Sequence, residues 1–274
     1  MSEASGPAAL IAAGGAVFLV MAATAAITRR TGKAAYVDAA WGAAFVALGW
    51  AAAITVIAGG RPLSWRAWVL LILVTVWGTR LSWHLARRVL ASDHDDPRYE
   101  EFLGGPVSTV PLSRVLAKVF GLQALLVLIV GLPVVVGIAR AATSPWLVVV
   151  LGGAMWLAGA VIEATADAQL AAHRAEPTRP GLLTTGLWAW SRHPNYFGDF
   201  CVWWGLWLVG GAASGLRDGL VSLLSPVLMS WILIAVSGVR LAEKRMRGRP
   251  GWTAYVARTP IFVPWPPSRR GPSR

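Results

Sequence analysis

Ser191-Arg192-His193-Pro194-Asn195-Tyr196-Phe197-Gly198 is a dense polar stretch wedged between two apolar segments. A helix-compatible apolar run starts directly after it and carries Trp203, Trp204 and Trp207. Desolvating ionisable groups is costly, so a membrane protein that keeps them at such a depth uses them. Pro194 suits the start of a helix, where its missing N–H is no loss. Asn195 and Tyr196 then fall in the first turn, whose free N–H groups favour anions. The stretch reads as the rim of a site that opens to the cytoplasm and takes a charged cofactor. Tyr196 also fits a plain interfacial aromatic.

Outward from this stretch the chain is apolar. Of 274 residues, 56% are apolar and only 14% charged, which is too greasy for a soluble domain of this length. Seven windows approach the roughly 20 residues needed to cross a bilayer. They are Pro7–Ile27, Val37–Ile57, Ala67–Ala86, Val115–Ile138, Trp146–Ala166, Tyr196–Ala213 and Gly219–Val239. The sixth is short and rich in Trp and Gly. An all-α polytopic membrane protein with seven transmembrane helices is expected.

Charge placement orients it. Arg29, Arg30 and Lys33 follow the first window; Arg87, Arg88, Arg98, Arg114 and Lys118 surround the loop after the third; Arg174, Arg179 and Arg192 follow the fifth. Nine more basic residues lie from Arg240 onward, whereas the alternate loops hold only Arg61, Arg66, Arg140 and Arg217. By the positive-inside rule the N-terminus is outside and the C-terminus cytoplasmic. The net charge of +12 is thereby explained by juxtamembrane loops, which excludes a nucleic-acid partner in favour of membrane lipids. No basic residue precedes the first apolar run, so it reads as a span and not as a cleavable signal. A single cysteine, Cys201, excludes an internal disulfide and a cysteine metal cluster. Residues 1–274 read as one membrane domain, with a cytoplasmic segment at 240–264 and a flexible tail at 265–274.

The conspicuous polar residues gather at the expected cytoplasmic ends. Asp38 opens the second span, either as a helix cap or as a buried acid with a raised pKa. Arg80 and His84, four apart, share a face of the third span. Arg80 needs a carboxylate partner, for which Asp38 is the expected one. His84 is an interfacial histidine or a proton donor. Asp93-His94-Asp95-Asp96 reads as a docking loop; metal is set aside because no partner cluster is evident. Glu163 and Asp167 share one face of the fifth span, to pair with loop arginines or to accept hydrogen bonds from a ligand. Arginines at Arg174, Arg179 and Arg192 are placed to fork onto phosphate oxygens. Glu243, Lys244 and Arg245 follow the last span. Trp252 to Pro260, with Tyr255 and Arg258, forms an amphipathic segment covering the site.

Together these residues resemble the bacterial DUF1295 family, which is similar to membrane-bound steroid 5α-reductases. The resemblance runs over nearly the whole chain. It is carried by Val37-Asp38-Ala39-Ala40-Trp41-Gly42, Arg80-Leu81 with His84, Asp96 with Arg98-Tyr99, and Glu163 with Ala166 to Leu170. Gly186-Leu187-Trp188, Ser191 to Gly198, Trp203-Trp204-Gly205, and Glu243 through Tyr255 to Pro264 add to it. The Arg-His-Pro-x-Tyr-x-Gly piece alone also looks like the motif of isoprenylcysteine carboxyl methyltransferases, which use S-adenosylmethionine.

The resemblance implies a seven-helix fold that takes NADPH from the cytoplasm. The family's cofactor-holding Asn and Asp look like Glu163 and Asp167, so Glu replaces Asn here. Further family positions look like Arg174, Asn195 and Tyr255. The family's carbonyl-polarising Glu and Tyr have no counterpart in the second and third spans, which offer Asp38, Trp83 and His84. The expected activity is NADPH-dependent reduction of an activated C=C bond in a steroid-like or lipid substrate, with Asp38, His84 and Arg80 as catalytic residues. Cofactor contacts are expected from Glu163, Asp167, Arg174, Arg179, Arg192, His193, Asn195, Tyr196, Glu243, Arg245, Tyr255 and Arg258. Substrate contacts are expected from Trp41, Trp203 and Trp204. A lipid methyltransferase using S-adenosylmethionine and a non-catalytic lipid-binding protein are the alternatives.

Overall fold

The computed structural model describes residues 5–140, 146–178 and 181–267. Among them every regular element is helical. Arg179 and the end of the expected tail lie outside the described residues. The helices are α1 (Ser5–Thr31), α2 (Tyr36–Ala58), α3 (Trp65–Leu90), α4 (Pro97–Leu103), α5 (Leu112–Val130), α6 (Leu132–Ala139), α7 (Trp146–Ala175), α8 (Pro194–Gly210), α9 (Leu216–Met246) and α10 (Trp252–Arg258). Six of them (α1, α2, α3, α5, α7 and α9) are long and apolar enough to cross a membrane. The sixth expected span, α8, has 17 residues and falls just short of that length. The fourth expected window is divided: α5 ends at Val130, and α6 restarts beyond Gly131 with Pro133 in its first turn, where proline is tolerated.

The chain divides into two compact units, Met1–Val149 with Leu206–Ser225 and Val150–Gly205 with Pro226–Arg274. In the first, α2 packs on both α1 and α3. Its buried face runs Val37, Ala40, Ala44, Phe45, Leu48, Ala52 and Val56, at helical spacing. A Cβ on Gly42 would land on the Gly78 carbonyl, and one on Gly78 would land on the Gly42 carbonyl. Without those Cβ atoms, α2 and α3 meet backbone to backbone, the close packing that small residues permit in membranes.

The first unit also buries Arg66 completely. Its Nη1 donates to the carbonyls of Val209 (3.2 Å) and Gly210 (3.1 Å) and to Ser214 Oγ (2.8 Å), and its Nη2 to the carbonyl of Arg140 (2.7 Å). The last carbonyls of a helix lack intrahelical partners and carry partial negative charge. One guanidinium therefore caps the ends of both α8 and α6. The charge pattern alone assigns this residue to an outer loop.

In the second unit, α7 and the first part of α8 meet along glycines. A Cβ on Gly159 would strike the Gly198 carbonyl, one on Gly198 the Glu163 nitrogen, and one on Gly205 the Gly152 carbonyl. A short 3-10 turn, Gly186–Ala189, is fastened to α7: Leu187 N donates to Gln169 Oε1 (3.0 Å) and Trp188 Nε1 to the Ala166 carbonyl (3.1 Å). These bonds fix the approach to the Ser191–Gly198 stretch.

Candidate functional site

The polar residues form one cluster in each unit, and each cluster is described by itself. In the first unit, the loop after α3 docks on the start of α2. Asp95 accepts from the backbone N–H of Ala34 (2.8 Å) and Ala35 (2.9 Å), and Lys33 donates its ammonium to the Ser92 carbonyl. The entry to α2 is thus capped by Asp95, sixty residues away, and not by Asp38. Asp38 lies in the first turn, where Arg98 Nη2 donates to Oδ2 (2.9 Å) and the Tyr99 hydroxyl to Oδ1 (2.5 Å). Arg98 also donates to Asp96 (2.8 Å).

Asp38 is therefore an ion-paired acceptor, its partner Arg98 in place of the expected Arg80. The reason is reach: α4 begins at Asp96-Pro97, with Asp96 accepting from Arg98 N (3.0 Å), and this turn aims Arg98 and Tyr99 at α2. Burial and the neighbouring Asp38 hold the Tyr99 phenol well above its ordinary pKa. Burial pushes Asp96 up, but hydrogen bonds and charge from Arg98 outweigh it, leaving the carboxyl below the usual value. Arg80 and His84 are half-buried on α3. Trp41 donates its indole N–H to Gln123 Oε1 (2.7 Å).

The second unit holds the motif. Arg192 forks onto Glu243, Nε to Oε1 (3.0 Å) and Nη2 to Oε2 (3.1 Å), while Nη1 donates to the Thr259 carbonyl (2.8 Å) and the Val256 carbonyl (3.3 Å). With side-chain exposure of 8% and 14%, this is a buried bidentate pair. The fork expected for phosphate is thus made to a carboxylate of the same chain. His193 Nε2 lies 2.9 Å from the same Glu243 oxygen. Burial depresses the His193 pKa more than Glu243 restores it, so the ring is neutral near pH 7. The carboxylate only accepts, which puts the imidazole proton on Nε2.

Around this pair the C-terminal segment is stapled down. Ser191 Oγ donates to the Phe262 carbonyl (2.7 Å), Arg192 N to the Pro260 carbonyl (2.9 Å), and the Tyr255 hydroxyl to the Trp188 carbonyl (2.6 Å). Phe262 packs edge-on to both Phe197 and Phe200 at 5.7 Å. Burial raises the Tyr255 phenol. Tyr255, Glu243, Arg192 and His193, all expected at a cofactor, here hold the covering segment in place.

Further along the same motif the arrangement differs. Asn195 Nδ2 donates to Asp167 Oδ1 at 3.2 Å, joining α8's first turn to the end of α7. Glu163 lies one turn earlier on the same face of α7, and both acids are buried, at 4% and 8% exposure. Tyr196 stacks on His193 (5.6 Å between centroids). Arg174, Arg245 and Arg258 are exposed, the last donating to its own helix at the Ala254 carbonyl. Trp203 is fully buried, and Trp204 gives its N–H to Ser230 Oγ (3.2 Å).

The structure brings together Asp167 with Asn195 and, separately, Arg192 and His193 with Glu243. Sequence reasoning misses Asp95, Arg98 and Tyr99 as Asp38's surroundings; the signal that points to them is the helix start Asp96-Pro97.

A model of the DUF1295 family, described as a protein of unknown function, matches residues 24–259. No curated protein and no solved structure matches the chain. The chain belongs to the DUF1295 family.

Proposed function

We propose that this member of the DUF1295 family is an NADPH-dependent membrane reductase of an activated C=C bond in a steroid-like or other lipid substrate. The observation that supports it is the Asp167–Asn195 bond, with Glu163 one turn along the same helix face. A buried acid bonded to an amide, with a second buried acid one turn along the helix, suits the hydroxyls and carboxamide of a nicotinamide nucleoside: the acids accept, and the amide both donates and accepts. Arg174 and Arg245 are the exposed cations assigned to phosphate oxygens. Arg192, His193, Glu243 and Tyr255 are assigned to holding the covering segment. NADPH supplies a hydride when bound. Reduction of an enone also requires a donor that stabilises the developing enolate. Asp38, one of the expected donors, is engaged by Arg98 and Tyr99. Seven spans with α8 as the sixth, an outside N-terminus and a site facing the cytoplasm of a bacterial inner membrane complete the reading.

A second reading is favoured by one observation. With Arg192 neutralised by Glu243, the buried acids Glu163 and Asp167 suit a cation, as in a methyltransferase that uses S-adenosylmethionine. Thermal unfolding in detergent separates the two. A ligand at 100-fold over its Kd stabilises the folded state by about 2.7 kcal/mol. NADPH is expected to raise the melting temperature, and Asn195→Ala and Asp167→Ala to remove that rise. A rise with S-adenosylmethionine alone would overturn the reductase reading; no rise with either would leave a lipid-binding protein.

A further inference from the structure

The first unit carries a groove that no cofactor reading uses. It has a volume of about 350 Å³ and lies between the last turns of α1, the loop before α5 and the first turns of α5. That is near the small end of the roughly 300–1,000 Å³ of ligand pockets, enough for a headgroup and part of one chain. Its lining is mixed, polar at Arg29 and Ser108 and apolar at Ala25, Val115, Leu116 and Phe120. Arg29 is exposed, and among the described residues its guanidinium makes no hydrogen bond or ion pair.

Three further features fit an amphiphile. Arg29 is the only charged residue lining the groove among the described residues, and the flanking turns add Arg30, Arg114 and Lys118 without an acid. The groove opens where two of the apolar helices end, the depth at which basic side chains meet headgroups. Its wall from Leu116 to Gly121 is a π-helical turn, a wide backbone form that concentrates at functional sites.

We propose that this groove binds one anionic phospholipid, its phosphate on Arg29 and an acyl chain along Val115, Leu116 and Phe120. The site is independent of the Asp167–Asn195 region. Native mass spectrometry of the detergent-purified full chain tests it, with dioleoylphosphatidylglycerol, dioleoylphosphatidylcholine or inorganic phosphate added. The anionic lipid is expected to bind tighter than the zwitterionic one. Arg29→Gln is expected to weaken it about fivefold, the scale of one interfacial cation. Arg30→Gln, beside the groove but not in it, is expected to change binding by less. Ala25→Phe, which adds bulk to the groove's lining, is expected to reduce binding of both lipids. Equal binding of both lipids, equal effects of Arg29→Gln and Arg30→Gln, or undiminished binding by Ala25→Phe would overturn the proposal. So would competition by inorganic phosphate alone, since it would reveal a free-anion site. NADPH stabilisation is expected to be unchanged in Arg29→Gln, so failure here leaves the reductase reading standing.

Discussion

The polar clusters of the two units use arginine in the same way and carboxylates differently. In the first unit's cluster, Arg98 bridges Asp38 and Asp96, and Asp95 caps backbone N–H groups. These three acids serve the docking of a loop. In the second unit, Arg192 and Glu243 do the same for the C-terminal segment, but Asp167 faces an amide across a helix seam. Carboxylates that hold a loop to a helix explain themselves as architecture. A buried acid set against an asparagine, with a second acid one turn away, asks for a different account, and that is why the functional reading rests on the second unit.

The contrast is broken most sharply at the Arg192 fork. Removing one partner of a buried, hydrogen-bonded ion pair leaves an uncompensated charge and costs about 3–5 kcal/mol. Glu243→Gln is expected to lower the melting temperature further than any single change at the α7–α8 seam or in the first unit's loop. The C-terminal segment is expected to become protease-sensitive, as limited proteolysis would detect. If Glu243→Gln melts like the parent, the pair is not the clamp.

Next is the α7–α8 seam. Gly198→Ala adds a methyl against the Glu163 nitrogen and the Gly159 carbonyl. Overpacking of this kind costs about 1–3 kcal/mol. The shift it forces falls at Glu163, so NADPH stabilisation is expected to fall with it, whereas Ala substitution at Gly6 or Gly14, which have open space around them, is expected to do neither. Equal ligand responses would separate the seam from the site.

In the first unit the expected losses are smaller. Asp95→Ala forfeits a helix cap, about 1 kcal/mol by melting. Tyr99→Phe removes one hydrogen bond to a carboxylate, about 1.5–3 kcal/mol at most and less here because Asp38 is part-exposed. Neither is expected to alter ligand response in the second unit.

The smallest effect is a pH slope. His193 has a folded-state pKa below its ordinary 6.5 because it is buried, with Arg192 beside it, Tyr196 stacked on it and Glu243 opposing. The unfolded chain therefore binds more protons below about pH 6.5, and the stability present above that value is lost as pH falls through the window beneath it. His193→Gln is expected to flatten the melting-temperature profile below about pH 6.5. A slope unchanged in the variant would assign it to other groups, such as Asp96, whose depressed pKa acts only at lower pH.

The helices were legible because bilayer-scale apolar runs announce themselves one residue at a time. The break at Gly131 was also written in the chain, as Gly-Leu-Pro, but a window of apolarity does not see punctuation. The site was legible in composition and not in pairing. Glu163, Asp167 and Asn195 could be grouped, since two lie on one helix face and the third opens the next. That Arg192 meets Glu243 fifty-one residues on, that Asp95 caps α2 across sixty, and that Arg66 caps two helices depends on which segments fold together, which local pattern does not carry.

The stapling of residues 188–192 by Tyr255, Thr259, Pro260 and Phe262 sets an order of events during biosynthesis. The Ser191–Gly198 stretch leaves the ribosome more than fifty residues ahead of the groups that close over it. Until those arrive, a guanidinium and an imidazole destined for burial stand open to water, and a nascent chain arrested before residue 255 would present them to quality-control proteases as the mark of unfinished work.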